Sequence, residues 1–187
     1  MELTTPRLLL RPFREEDAEA LYAYARNPRV GRAAGWKPHE SAAESLEVIR
    51  TVFCGPHVFA LTERESGRLI GAAGFTGGVL EEVPAPRDEI GYSLSPEFWG
   101  RGLMTEAAEA LLDFGFGDRG LAAVWCNHYE ENHRSRRVIE KCGFRYLYTR
   151  DVRDESSGAL RPACFYLLTR EEWAARRERG EGGHDGI

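Results

Sequence analysis

Apolar residues follow two different periods along this chain, and the two periods meet between residues 89 and 116. Ile90, Tyr92 and Leu94 alternate with small residues, a period of two that is typical of a β-strand with two distinct faces. Apolar residues then recur at helical spacing, at positions 104, 107, 108, 111 and 112. The stretch therefore predicts a strand that leads through a short turn into an amphipathic helix.

The same two periods predict the other elements. Strands are expected over residues 8–12, 58–62, 68–75, 121–128, 144–151 and 161–169, the second and third forming a hairpin. Helices are expected over residues 18–25, 42–53 and 133–142 and around Trp173. Ser41 with Glu44, and Thr169 with Glu172, predict capping boxes. Asn27-Pro28 is expected to end the first helix, and residues 30–39 are expected to form a loop.

This order of elements predicts an α/β layer structure around a mixed sheet. At 187 residues, with no internal repeat and no linker-like segment, the chain is expected to form one domain over residues 1–178. The last nine residues, RGEGGHDGI, have almost no apolar side chains, so residues 179–187 are expected to be a disordered tail.

Composition narrows the class of protein. With 42% apolar and 29% charged residues the chain has a soluble globular balance, and its net charge of -5 argues against a nucleic-acid partner and slightly favours a cationic substrate. The four cysteines show no CxxC spacing, which favours reduced, mostly buried thiols in a cytoplasmic protein. No apolar run reaches membrane-spanning length, so we expect no membrane partner.

The turn between the strand at 89–94 and the following helix has the composition of an anion site. It reads WGRGLM over residues 99–104, and its two glycines let the backbone turn tightly and approach a ligand closely. A helix that starts there presents free N–H groups at the positive end of its dipole. An isolated GxG is most often only a tight turn, so the surrounding sequence decides between the two interpretations.

That surrounding sequence, EIGYSLSPEFWGRGLMTEA, resembles the acyl-CoA-binding segment of the GNAT N-acetyltransferases, in particular the RimJ/RimL-like branch. TPRLLLRPFREEDAEAL, residues 5–21, resembles the opening of the same proteins. The resemblance covers residues 5–176. It implies a GNAT-like fold, α/β of the mixed α+β type, with a central, mostly antiparallel sheet of six to seven strands and helices on both faces. It also implies direct transfer of an acetyl group from acetyl-CoA, the co-substrate, to a primary amine of a small molecule or a protein N-terminus.

The resemblance assigns the coenzyme to main-chain groups. The pyrophosphate would be held along the loop by Trp99, Gly100, Arg101, Gly102, Leu103, Met104 and Thr105. Trp99 stands where the family has Gln or Arg, and Met104 where it has Gly or Ala, so Met104 is the position to check for crowding. Backbone groups around Ser93 and Leu94 are the family's counterpart for the thioester carbonyl and the pantetheine arm.

Amine acylation requires a base for the amine, stabilisation of the oxyanion and a means of accommodating the departing thiolate. Glu89, at the start of the central strand, is the candidate base, directly or through a water molecule; its competing interpretation is an exposed carboxylate at a strand end. Tyr92 is expected to be a core residue. Direct transfer needs no catalytic cysteine.

NHRSRRVIEKCGF, residues 132–144, resembles the family segment whose Asn contacts pantetheine. Many relatives have a Tyr seven residues after that Asn as the acid for the thiolate, but this chain has Ile139 there. Ser135 is therefore the next candidate acid and also a candidate coenzyme contact, although a serine there is more often a packing residue. Asn132 is equally explained as a helix cap. The arginines at 134, 136 and 137 are candidates for phosphate contacts, against a solvated helix face.

Competing functions remain open from the sequence. A non-catalytic acyl-CoA-binding or regulatory module is the main alternative, motivated by Ile139. A Rossmann-type nucleotide site is opposed by the lack of a GxGxxG and of an acidic residue on a following strand. Cys126, His128 and His133 lack a fourth ligand, so no metal is expected. The tryptophans at 36, 99 and 125 suit either an aromatic wall for substrate or core packing. The chain is further expected to be capable of forming a homodimer.

Overall fold

Residues 1–181, the part of the chain that the computed structural model describes, form eight strands and six helices. The strands are β1 (Leu3–Thr4), β2 (Leu8–Arg11), β3 (Val58–Glu63), β4 (Leu69–Phe75), β5 (Arg87–Leu94), β6 (Ala123–Tyr129), β7 (Arg145–Arg153) and β8 (Leu160–Thr169). The helices are α1 (Ala18–Ala25), α2 (Pro28–Ala34), α3 (Ala42–Thr51), α4 (Leu103–Phe116), α5 (His133–Lys141) and α6 (Arg170–Glu181). Single 3₁₀ turns precede α1 and α4.

All eight strands join one sheet in the order β1-β2-β3-β4-β5-β6-β8-β7. Every neighbouring pair is antiparallel except β5 and β6, which are parallel. The expected mixed, mostly antiparallel sheet is confirmed, and its antiparallel character rules out the parallel sheet of a Rossmann fold. The strand count exceeds the expected six to seven because the two-residue β1 is too short to show a periodic pattern.

Helices pack on both faces of β5. Because side chains alternate along a strand, each face contributes its own set of contacts. Ile90 and Leu94 belong to the main core cluster, together with the buried stripe of α4 that includes Ala107 and Leu111. On the other face the Ser93 hydroxyl lies 3.2 Å from the hydroxyl of Tyr24 in α1. The expected strand-turn-helix unit is therefore the centre of the core.

Residues 30–39 were expected to be a loop, and that prediction is wrong for the first half of the segment. Asn27 does not simply end α1; its side chain accepts a hydrogen bond from the Arg29 N–H and caps the new helix α2, with Pro28 at the first helical position. Gly35, with φ of 85°, ends α2. The same Asn-Pro pair that breaks one helix therefore starts another.

The predicted caps of the other helices fall where expected. Ser41 accepts from the Glu44 N–H at the start of α3, but the Glu44 carboxylate accepts from the Glu40 N–H, so the reciprocal bond of the expected capping box does not form to Ser41. Thr169 and Glu172 form a reciprocal capping box at the start of α6. Helix α6 continues to Glu181, and the rest of the expected tail, residues 182–187, lies outside the described residues. Within residues 1–181, no helix combines the length and apolarity needed to cross a membrane.

Candidate active site

Strands β5 and β6 are neighbours that pair only at their N-terminal ends. Residues 87–89 are in register with residues 123–125, and beyond these pairs the two strands separate. A cleft of about 880 Å³ opens between them and is lined by the distal halves of both strands, by the loop before α4, and by residues of α2 and α5. The split in the sheet leaves unpaired backbone groups along both walls of the cleft.

The phase of the β-ladder decides which amides of β5 face the cleft. The hydrogen bond from Ser95 N to Ile70 O lies at the end of the β4–β5 ladder. Because such bonds alternate along an antiparallel pair, the amide of Ser93 also points to β4, whereas those of Tyr92 and Leu94 point into the cleft. Of the two residues expected to make backbone contacts, Leu94 therefore directs its N–H into the cleft. Ser93 lines the cleft but directs its N–H to β4.

The loop before α4 has the geometry of an anion cradle. Gly100 and Gly102 have φ of 77° and 76°, a left-handed conformation that glycine adopts without strain. Gly102 is the N-cap and provides no side-chain acceptor, and the first intrahelical bond runs from Glu106 N to Gly102 O. The amides of Leu103, Met104 and Thr105 therefore have no partner within the helix. The Met104 side chain is 6% exposed and lies in the main core, so it does not crowd the loop.

The N-terminal segment of the chain braces this loop. The Glu106 carboxylate accepts hydrogen bonds from Thr5 Oγ1 at 2.6 Å, from Arg7 N at 2.8 Å and from Arg7 Nε at 2.6 Å. Arg7 also donates to the Arg101 carbonyl at 2.9 Å. The side chain of Arg101 turns away and pairs with Glu63, so this residue contributes only its backbone to the loop.

Trp99 connects the loop to both sides of the cleft. Its indole N–H donates to the Leu94 carbonyl at 2.8 Å, which fixes the ring against the end of β5. The guanidinium carbons of Arg29 in α2 and Arg134 in α5 lie over the ring, 4.9 and 4.7 Å from its centroid. Of the three tryptophans considered as an aromatic wall, only Trp99 lines the cleft; Trp125 stacks on Phe165 in a second core cluster.

Glu89 lies at the closed end of the cleft, where the two strands begin to separate. Its Oε2 accepts from Thr76 Oγ1 at 2.7 Å and its Oε1 from Asn127 Nδ2 at 2.9 Å. Burial raises the pKa of Glu89 above its ordinary value, although the Thr76 hydrogen bond opposes the shift and the nearby Asp88 adds to it. The carboxyl is thus half-buried, oriented from both sides and poised to titrate closer to neutrality than an exposed carboxylate at a strand end.

Two hydroxyls meet on the opposite face of β5. The Tyr92 phenol oxygen lies 2.8 Å from Ser135 Oγ, and both residues line the cleft. Ile139 is 2% exposed and packed in the core, so the position of the usual acid does not reach the cleft. Tyr92 was expected to be a core residue; its ring does pack against the core, but its hydroxyl belongs to the site.

Asn132 holds two helices together. Its Oδ1 accepts from Ser135 N at 3.2 Å and caps α5, as expected, and its Nδ2 donates to the carbonyl of Ala33 in α2 at 3.2 Å. Arg161 binds the same end of α2 through the Arg32 carbonyl and stacks 3.5 Å from the Tyr129 ring centroid. Side chains from β8 and α5 thereby fix α2 against the cleft.

The cleft carries the opposite charge to the chain as a whole. Its lining contains six cationic side chains, from Arg29, Arg32, Arg134, Arg137, Lys141 and Arg161, and only two carboxylates, from Glu89 and Glu131. Glu131 pairs with Arg161. Among the described residues the other five cations form no salt bridge, whereas Arg136 pairs with Glu140 on the outer face of α5. The weak expectation of a cationic substrate from the net charge therefore finds no support in the cleft.

The surroundings of Glu89 could not be singled out from the sequence: Thr76 and Asn127 donate to its carboxylate, and Gly78 leaves room for it. Thr76 precedes and Gly78 lies within a segment that reads only as a connection, and Asn127 lies in a strand with an ordinary buried pattern. Signals did exist in the glycine pair at 77–78 and in the polar Asn127 within an apolar strand. The metal alternative is not supported, because both ring nitrogens of His128 lie within hydrogen-bond distance of protein atoms and the described residues contain no group of three suitable ligands.

Comparison with known proteins agrees with this geometry. The family model of the acetyltransferase (GNAT) domain matches residues 7–145. The uncharacterized N-acetyltransferase YoaA of Bacillus subtilis is 31% identical over 148 residues, which cover 76% of this chain and 81% of that protein. The spermidine N(1)-acetyltransferase of Escherichia coli K12 is 27% identical over 139 residues, 72% of this chain and 71% of that protein.

The fold is also similar to that of a solved structure. The acetyltransferase of the GNAT family from Bacillus anthracis has a TM-score of 0.80 at 23% identity and covers 91% of this chain and 99% of that one. Since the family model matches well over half of the residues, the chain belongs to the GNAT family and is an acyltransferase that uses acetyl-CoA as its co-substrate.

Proposed function

We propose that the enzyme transfers the acetyl group directly to an amine, with Glu89 as the base and Ser135 as the donor that assists the departing thiolate. The observation that carries this proposal is the split between β5 and β6. It brings the Glu89 carboxylate, the free amides of β5, the glycine loop and Ser135 to one cleft. Each requirement of amine acylation then has a candidate group within that cleft.

The coenzyme fits the residues present. The uncapped N-terminus of α4 and the two left-handed glycines suit a pyrophosphate, and Arg134, Arg137 and Lys141 supply the positive charge that further phosphates need. Bound acetyl-CoA supplies the thioester. The amides of Tyr92 and Leu94 would hold its carbonyl and pantetheine arm and stabilise the negative charge that develops on the carbonyl oxygen.

Glu89 would remove the proton that the attacking amine must lose. Because burial raises its pKa, the carboxyl is a stronger base than an exposed glutamate. The hydrogen bonds from Thr76 and Asn127 keep both oxygens in place while leaving lone pairs available for the amine or an intervening water.

The charge of the cleft bears on the acceptor. Three of the six cations, Arg134, Arg137 and Lys141, are assigned to the coenzyme phosphates. A polyamine would still meet Arg29 and Arg32 and, apart from Glu89, a single carboxylate that is already paired with Arg161. We therefore expect a small amine with no second positive charge, in contrast to the acceptor named for the spermidine acetyltransferase relative. A protein N-terminus, suggested by the RimJ/RimL resemblance, is the alternative acceptor. A cytoplasmic location fits either.

The test is turnover of acetyl-CoA with a panel of amines, followed by release of free thiol, for the wild type and the Glu89→Gln variant. Removing a positioned base should lower kcat by about 10²–10⁴-fold and leave the Kd for CoA unchanged. The wild-type kcat/KM should fall as the pH drops through a pKa above that of free glutamate, and this acidic limb should vanish in the variant. Glu65→Gln, in the exposed β3–β4 turn, is the matched control. An unchanged rate in Glu89→Gln would remove this residue from the base role.

The sequence also motivates a non-catalytic acyl-CoA-binding module as an alternative, because no tyrosine occupies the place of the usual acid and Ile139 is buried there. The family assignment favours the acyltransferase over this alternative. Tight CoA binding without thiol release on any amine of the panel would support the binding module and refute the transferase proposal.

A further inference from the structure

Tyr92 combines a partly buried ring with a hydroxyl at the cleft. The ring packs against the main core, and burial raises the pKa of the phenol above its ordinary value. The phenol therefore keeps its proton over the working pH range of an enzyme, and it must place that proton on an acceptor. Among the described residues its hydrogen-bond partners are both on Ser135: the hydroxyl at 2.8 Å and the carbonyl at 3.4 Å.

The direction of this hydrogen bond follows from the chemistry of the pair. A phenol is a far stronger acid than an alcohol, so the favoured arrangement has Tyr92 donating and Ser135 Oγ accepting. A serine within a helix otherwise tends to turn its hydroxyl back to a carbonyl one turn earlier. With one of its two lone pairs engaged by Tyr92, Ser135 Oγ keeps its own proton. Among the described residues this oxygen has no other hydrogen-bond partner, so the proton is available to a ligand in the cleft that both residues line.

We infer that Tyr92 is a positioning residue that aims the Ser135 hydroxyl at the departing sulfur; this rests on the role proposed above for Ser135. As the carbon–sulfur bond breaks, its electron pair stays on the sulfur, and the Ser135 O–H donates a hydrogen bond to that thiolate. Tyr92 keeps its proton, because burial penalises the phenolate. The thiolate takes a proton from water as the product leaves, and the hydroxide so formed is neutralised by the proton that Glu89 took from the amine, so neither Tyr92 nor Ser135 changes its charge.

The test is a double-mutant cycle of Tyr92→Phe and Ser135→Ala, measured as kcat, KM and the Kd for acetyl-CoA. Loss of one pre-organised donor to a developing charge costs roughly 10²–10³-fold in kcat, and loss of its orientation should cost less, about 10-fold or more. The double variant should be no slower than Ser135→Ala alone, because both changes act on one hydrogen bond. The Kd for acetyl-CoA should stay close to that of the wild type, since the phosphate contacts lie at the loop before α4.

Tyr146→Phe is the matched control, because its hydroxyl lies 2.9 Å from Thr149 Oγ1 on β7, away from the cleft. Thermal unfolding of each variant separates loss of fold from loss of function. Effects that multiply in the double variant, or full activity in Tyr92→Phe, would overturn the inference while leaving the transferase proposal intact. Absence of turnover in the wild type with every amine would overturn both.

Discussion

A methyl group added at Gly78 should disable the candidate base without touching the coenzyme site. A β-carbon at this position would lie 2.3 Å from Glu89 Oε2, 2.9 Å from Glu89 Cβ and 2.8 Å from Cζ2 of Trp125. Glycine is required here by this close approach and not by its backbone angles, since φ of Gly78 is outside the left-handed region. The Gly78→Ala variant therefore displaces its nearest neighbour, the carboxylate.

The size of the effect follows from these distances. An ordinary contact of a β-carbon is about 3.4 Å or more, so the carboxylate oxygen must retreat by about 1 Å. That shift stretches the 2.7 Å bond from Thr76 beyond useful length. A misplacement of about 1 Å at a reacting group costs about 10²-fold in rate, and overpacking costs about 1–3 kcal/mol of folding stability.

The assay is thiol release at saturating acetyl-CoA, with the Kd for CoA from calorimetry and the unfolding temperature as a check on folding. We expect kcat/KM for the amine to fall about 10²-fold, the Kd to stay the same, and the double variant Gly78→Ala/Glu89→Gln to be no slower than Glu89→Gln. Gly55→Ala is the matched control, because its new β-carbon meets Val58 at an ordinary 3.4 Å. Wild-type turnover in folded Gly78→Ala would refute the reasoning about the position of Glu89.

Three further variants test the coenzyme and acceptor sides of the cleft. Gly102→Ala places a side chain at φ of 76°, costs about 1–2 kcal/mol and should weaken CoA binding by calorimetry; equal affinity would show that the loop backbone is not needed in this form. Arg134→Ala should weaken CoA binding by up to about 1 kcal/mol, and by less at high salt. Arg136→Ala is the control and should not weaken it, because the Arg136 side chain is paired with Glu140. Arg161→Met releases the end of α2 and should raise KM for the amine with little change in the Kd for CoA; an unchanged KM would separate α2 from acceptor binding.

The central unit was predictable because its signals are local. The period-two run over β5, the helical period of α4 and the glycines between them each depend on neighbours in sequence, and the structure forms all three as expected. The caps at Ser41 and Asn132 are equally local, since a side chain bonds an N–H three residues on.

The rest depends on contacts between distant segments. Helix α2 was missed because Asn27-Pro28 carries the same signal for ending a helix and for starting one. The surroundings of Glu89 come from Thr76 and Asn127, 13 and 38 residues away, so no motif contains them. The alternating pattern of β5 places Tyr92 on the face that packs against the core. Its hydroxyl meets Ser135 only because α5 packs beside that strand, which the local pattern does not contain.

The hydrogen bonds that join Thr5 and Arg7 to Glu106 couple two segments about 100 positions apart. An exchange of Arg7 for a neutral residue would leave the Glu106 carboxylate beside the very amides that should attract an anion. Natural variation at positions 7 and 106 should therefore be correlated across relatives, with the charges of both residues lost or reversed together. Removal of the first seven residues should likewise weaken coenzyme binding, although the binding loop lies far from them in the sequence.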